Sequence, residues 1–212
     1  MTQVAKASRA KTPRRPPVDK FTERRGQLAA SALKTLSELG YARTSLREIA
    51  QNSEFSHGVL HYYFTDKVDL ITFCVREYKI ECATRYDDLV AAATSASELR
   101  TGFAAAMAET LCEEPHMHRL WYDLRNQSLF EESFRKDALE IDQVLQDMIW
   151  RIVSRYAELA STPLTVTPRT AYAMFDGVFQ LALLHQLAGH EDAAGNLQDD
   201  VVRVLDSLFL VS

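Results

Sequence analysis

Several scarcities narrow the reading before any pattern is sought. The 212-residue chain holds seven glycines and six prolines, and Pro13, Pro16 and Pro17 crowd into its first seventeen positions. Beyond them the chain is nearly free of helix breakers and dense in alanine, leucine, glutamate and arginine, which favours an all-α fold. Cysteine is as sparse: Cys74, Cys82 and Cys112 sit in apolar-patterned segments, and an odd, small number excludes a disulfide framework and reads as buried bystander thiols. No window approaches the roughly eighteen unbroken apolar residues of a bilayer span, and the start has no apolar stretch of signal-peptide length, so a cytoplasmic chain away from membranes is expected. Gly-rich phosphate loops, a nucleophile elbow and paired Cys-x-x-Cys zinc steps are missing too, so no enzymatic activity and no cofactor are expected.

What is present is apolar enough to build a sizeable core, at 47% apolar against 25% charged, and it is electrostatically lopsided. The net charge of −5 argues alone against a nucleic-acid partner, but the distribution reverses that. Residues 1–76 carry thirteen lysines and arginines against seven acidic residues, whereas 77–212 carry eleven against twenty-two. A basic head sits on an acidic body. Most of the head's excess lies in residues 1–20, which lack apolar periodicity and read as a disordered basic arm.

Helical periodicity begins at Thr22. Leu28, Ala32, Leu36 and Leu39 recur every three or four residues and stop at Gly40, a natural left-handed cap, giving a helix over about 22–39. Ser45-Leu-Arg-Glu48 is a capping box that opens a short helix over about 45–52, and Ser56 caps another through Tyr63. Thr65 or Asp66 then caps a longer helix over about 66–93. Further helices are expected over 97–112, 116–129 and 133–160, over 168–188 behind Thr167-Pro168, and from Asn196 onward.

Two short helices with Leu46, Ile49, Ala50, Phe55, Leu60 and Phe64 turned inward form a helix-turn-helix. The run Gly40-Tyr41-x-x-Thr44-Ser45-Leu46-Arg47-x-Ile49-Ala50, continued by Phe55-Ser56-x-Gly58-Val59-Leu60-x-Tyr62-Tyr63-Phe64-x-Asp66-Lys67-x-x-Leu70, resembles the N-terminal signature of the tetracycline-repressor (TetR) family. That resemblance implies about nine helices: a DNA-binding head over 21–65 and a ligand-binding and dimerisation body over 66–212. It implies a repressor that binds a palindromic operator in double-stranded DNA as a homodimer and is released by a small-molecule effector. It also makes His57, Gly58, Val59 and His61 readers of base edges, with Arg47 reaching in from the side. Thr44 joins the DNA-binding set, and Ser45, Ser56, Tyr62, Tyr63 and Lys67 fall to the DNA backbone. Three positions depart from the family pattern: Glu54 replaces a turn glycine, and His57 and His61 replace commoner residues on the DNA face.

In the body, the 168–188 segment is apolar on more than one face, too much for one core, and by resemblance it pairs with a twin together with 133–160. Its Asp176-Gly177 step resembles the choline-sensing branch of the family. The resemblance places an effector pocket among the body helices, with Phe103, Met107, Trp121, Tyr122, Arg125, Trp150, Phe175 and Phe179 as its candidates. A competing reading takes Glu113-x-x-His116 with His118 as half of a helical-bundle metal site, although Pro115 interrupts the step and no second one exists. Beside a helix start, His116-Met-His118 reads most simply as solvated.

Overall fold

Ser45, Ser56, Asp66, Ser95 and Thr167 each accept a hydrogen bond from the amide three positions on, and each opens a helix. Local capping thus sets the punctuation of the chain, as such side chains do when they satisfy first-turn amides. The structure is a computed structural model and describes residues 20–40 and 44–209; all but the last residue of the expected basic arm lies outside that range. The described residues form ten helices: α1 (Lys20–Leu39), α2 (Leu46–Gln51), α3 (His57–Tyr63), α4 (Lys67–Cys82), α5 (Asp87–Ala92), α6 (Ala96–Glu113), α7 (Pro115–Gln127), α8 (Glu132–Ala160), α9 (Pro168–Leu187) and α10 (Ala193–Ser207).

The all-α expectation holds, with one division. The single helix expected over 66–93 is α4 and α5, separated by a turn at 83–86. Neither glycine nor proline makes the break. The Thr84 hydroxyl bonds the carbonyl of Glu81 at 3.2 Å, and the guanidinium of Arg151 takes the carbonyl of Ala83 at 2.6 Å. Both draw on acceptors near the helix end, and the backbone tightens into three-residue turns. Gly40 ends α1 at φ +75° as its position predicts. The last helix starts three residues before Asn196, at Ala193.

One core runs through the molecule from Leu28 in α1 to Leu208 beyond α10. In the head, Leu28, Leu46, Ile49, Leu60 and Phe64 are buried, so α1, α2 and α3 close around one small nucleus. In the body, the stripe Ile141, Leu145, Met148, Ile152 and Tyr156 of α8 is buried, as are Leu197, Val201 and Leu205 of α10. Two helices belong to both halves: α4 packs on α1 and α8, and α7 packs on α1, α8 and α9. No described helix is long and apolar enough to cross a membrane. Cys74 and Cys82 are buried as expected, but Cys112 is exposed, because it falls on the outer face of α6.

Candidate nucleic-acid surface and interior cavity

The capping box of α2 forms in full: Glu48 donates its amide to the Ser45 hydroxyl at 3.2 Å, and its carboxylate accepts the Ser45 amide at 2.7 Å. Ser56 caps α3 through the Val59 amide at 3.3 Å. Between the helices, Glu54 does not adopt the left-handed backbone of the glycine it replaces; Ser161 is the one described non-glycine residue at positive φ. The turn is instead built on Ser53, whose hydroxyl accepts the Phe55 amide at 3.2 Å, a side-chain turn that needs no positive φ.

Burial of the six inward residues leaves an outer face. Arg47, His57, Gly58, His61 and Tyr62 are exposed, Tyr62 at 73%. The His57 and His61 rings, one helical turn apart, meet edge to face at 4.4 Å between centroids. Gly58 is not demanded by the fold, since a Cβ there would meet nothing nearer than the Ser56 hydroxyl at 4.0 Å. Val59 is half-buried, and so is Tyr63, whose ring packs on Phe21 at 4.8 Å. Ser45 and Ser56 remain exposed beside their caps, and Lys67 is half-buried in the first turn of α4. Thr44 departs from the expected outer set: it is 3% exposed and its hydroxyl is spent on the Gly40 carbonyl at 2.7 Å. Beneath the face, Arg24 lies over the Phe55 ring at 4.8 Å, and Arg25 stacks on Phe64 and Phe73 while pairing with Asp69.

Inside the body, α4, α6, α7, α8 and α9 line a cavity that is partly open to the surface. Of the eight candidates, Met107, Trp121, Tyr122, Phe175 and Phe179 line it. Phe103 stands behind the wall, edge-on to Tyr86 and Phe175. Trp150 is half-buried and packs on the core instead. Arg125 pairs with Asp176, and with Asp142 at 3.3 Å. Tyr122 donates to Asp176 at 2.9 Å and Tyr172 to Asp142 at 2.6 Å, so two carboxylates, one guanidinium and two phenols close one end. Burial, with the neighbouring carboxylates, pushes both phenols far above the usual tyrosine range.

The other end holds Lys79, which sequence reasoning does not select, and His118, which it sets beside Glu113 and His116 rather than in the cavity. Lys79 is 4% exposed, and its ammonium stands 3.3 Å from Nδ1 of His118. The opposite ring nitrogen, Nε2, donates to the Thr110 carbonyl at 3.2 Å, which fixes the tautomer with Nδ1 as acceptor. Burial, then the positive charges of Lys79 and Arg85, depress the imidazole to about 2; burial lowers Lys79 to about 8. The expectation of His116-Met-His118 as a solvated helix start is corrected here: His116 is exposed, but His118 is 3% exposed. Glu113 turns to Arg85 at 3.7 Å, and among the described residues no three His, Cys, Asp or Glu side chains gather to hold a metal ion. A signal for Lys79 existed in the sequence: it lies four residues after Val75 and eight after Ile71, on the stripe that α4 buries.

Residues 28–72, which include α2 and α3, match the profile of "Bacterial regulatory proteins, tetR family". Among curated proteins, the chain is 30% identical over 115 residues to the HTH-type transcriptional regulator BetI of Burkholderia thailandensis, covering 53% of this chain and 58% of that protein's length. Among solved structures, the fold is similar to the transcriptional regulator FadR from Bacillus subtilis in complex with stearoyl-CoA, with TM-score 0.70 and 16% identity over 87% of this chain and 99% of that one. It is also similar to a transcriptional regulator from Saccharomonospora viridis in complex with choline, with TM-score 0.71 and 13% identity over 90% of this chain and all of the other (100%). The family profile thus falls on the two helices that build the exposed face, and the fold of the whole described chain is similar to that of such regulators, so residues 28–72 are a TetR-type DNA-binding domain on a body of the same fold.

Proposed function

We propose that this protein is a ligand-responsive transcription regulator, a homodimer that holds a palindromic operator through α3 and releases it when a small molecule fills the body cavity. The observation that carries the reading is the outer face of α2 and α3. Every aliphatic residue of the two helices is wholly or partly buried, while Arg47, His57, Gly58 and His61 stand exposed together. A seven-residue helix is about 10 Å long and enters one major groove. Arg47 can fork onto a guanine, the imidazoles can donate to purine acceptors, and Gly58 lets the backbone approach closely. The hydroxyls of Ser45 and Ser56 accept from cap amides and keep their own protons for phosphates.

Dimerisation through α8 and α9 has support in apolar side chains that the described residues leave uncovered: Leu139 on α8 is 63% exposed, and Leu181 and Leu184 on α9 are 51% and 63% exposed. A two-fold pair would set two α3 helices about 34 Å apart, one turn of duplex. A route from cavity to head runs along α7. His118, Trp121 and Tyr122 face the cavity, and Arg119 between them donates to the Ser37 carbonyl at the end of α1. A ligand that shifts α7 therefore pulls on the head. The relatives do not choose the ligand, since one neighbour of this fold was solved with stearoyl-CoA and another with choline.

Selection of duplexes from a random pool, followed by titration of the enriched sequence at 50 and 200 mM salt, tests the reading. Enrichment of an inverted repeat, with affinity falling steeply as salt rises, is expected. A pool without any enriched motif would overturn it.

A further inference from the structure

The polar groups around the cavity are unequally satisfied. Its oxygen acceptors are engaged: Asp176 receives Tyr122 and Arg125, the Thr110 carbonyl receives His118, and the Thr110 hydroxyl is bonded to Tyr86 at 2.9 Å. Its donors are not. Trp121 is 1% exposed, and its indole Nε1 has no hydrogen-bond partner. The Lys79 ammonium carries three protons, and among the described residues its hydrogen-bond partner is the single lone pair of His118. No described carboxylate reaches ion-pairing distance of it. Arg85, the other cation of the wall, is already met by Glu113 at 3.7 Å and Glu114 at 3.6 Å.

We propose that the cavity binds an organic oxyanion, a carboxylate or phosphate head on an apolar body, with the head held by Lys79 and Trp121. The assignment rests on the reading of this cavity as the effector site. Buried donors without acceptors cost about 1–3 kcal/mol each, and more when charged, so a ligand that supplies anionic oxygens relieves a cost the protein already carries. The ammonium stands over the Trp121 ring, 5.9 Å from its centre, and both side chains line the same cavity. At neutral pH the lysine, lowered to about 8, is still mostly charged. Met107, Leu145, Met148, Ile149 and Phe175 supply the apolar wall for the body. A quaternary ammonium finds the opposite: a buried like charge and carboxylate oxygens already spoken for.

Four probes of one chain length separate the possibilities: octanoate, octyl phosphate, octanol and octyltrimethylammonium, each below its micelle concentration, titrated by calorimetry into the full-length protein at pH 7. Octanoate or octyl phosphate should bind at least tenfold more tightly than octanol and octyltrimethylammonium, and which of the two anions leads identifies the head. Lys79→Met should remove at least tenfold of that affinity and Trp121→Phe a smaller part, with circular dichroism reporting that each variant is folded. Equal or tighter binding of the alcohol or the cation overturns the assignment. So does an anion affinity unchanged in Lys79→Met, or no binding by any probe. Anion binding that leaves the operator complex intact would overturn the effector reading while keeping the oxyanion site.

Discussion

Nε2 of His118 is held by the carbonyl of Thr110 while Nδ1 faces the ammonium of Lys79 at 3.3 Å, so the imidazole is fixed as the neutral partner of a buried cation. The consequence is a dependence of stability on pH. The folded ring is depressed to about 2, whereas an unfolded histidine takes a proton near pH 6.5. Between these values the unfolded chain binds the extra proton, so stability is complete above about pH 6.5 and falls as the pH drops. The loss from pH 6.5 to 5 should be about 1–2 kcal/mol at 1.4 kcal/mol per unit. Lys79 acts in the same sense at higher pH: lowered to about 8 when folded, against about 10.4 unfolded, it adds stability as the pH rises through that window. Urea denaturation of wild type and His118→Phe at pH 5 and 7 checks the histidine part; an equal slope in both proteins would contradict it.

On the face proposed to meet DNA, base-reading and phosphate-holding side chains should fail differently. Arg47→Ala is expected to cost about 1–3 kcal/mol on the selected duplex and to relax specificity at one base pair. Lys67→Ala should weaken all duplexes alike and lower the salt slope by about one. Fluorescence anisotropy on the selected site and on single-base variants distinguishes them.

Gly177 offers a clean test of the dimer. A Cβ there meets nothing within 4 Å inside the chain, and replacing a mid-helix glycine adds about 1 kcal/mol of helix propensity. Gly177→Leu should therefore fold at least as well as wild type, while the added side chain, on the exposed side of α9 proposed as the dimer face, should separate the subunits. Sedimentation velocity is expected to show a dimer for wild type and a monomer for the variant; Leu184→Glu, on the same exposed side, should behave alike.

The elements whose cause is local were legible in the sequence. Ser45 with Glu48, Ser56, Thr167 with Pro168, and Gly40 specify their helix ends within a few residues, and the structure places each as the capping rules require. What escaped depended on distant partners. The break between α4 and α5 involves Arg151, sixty-eight positions away from the carbonyl it takes. Thr44 looked available for DNA because its bond to Gly40 and its burial are products of the folded head. In the cavity, aromatic residues were readable as inward-facing, but Lys79 and His118 were hidden by chemistry: a lysine on a buried stripe and a histidine near a helix start both read most simply as solvated. Their pairing appears only when α4 and α7 come together.

Operator reading by the exposed face of α3 stands or falls with its two imidazoles. The selected duplex, and a scrambled duplex of equal length, should be titrated with wild type and with a His57→Ala, His61→Ala variant at fixed pH and salt. The variant is expected to lose at least tenfold in affinity for the selected duplex, with binding to the scrambled one nearly unchanged. Equal affinity of the two proteins for the selected duplex would show that this face does not read the operator.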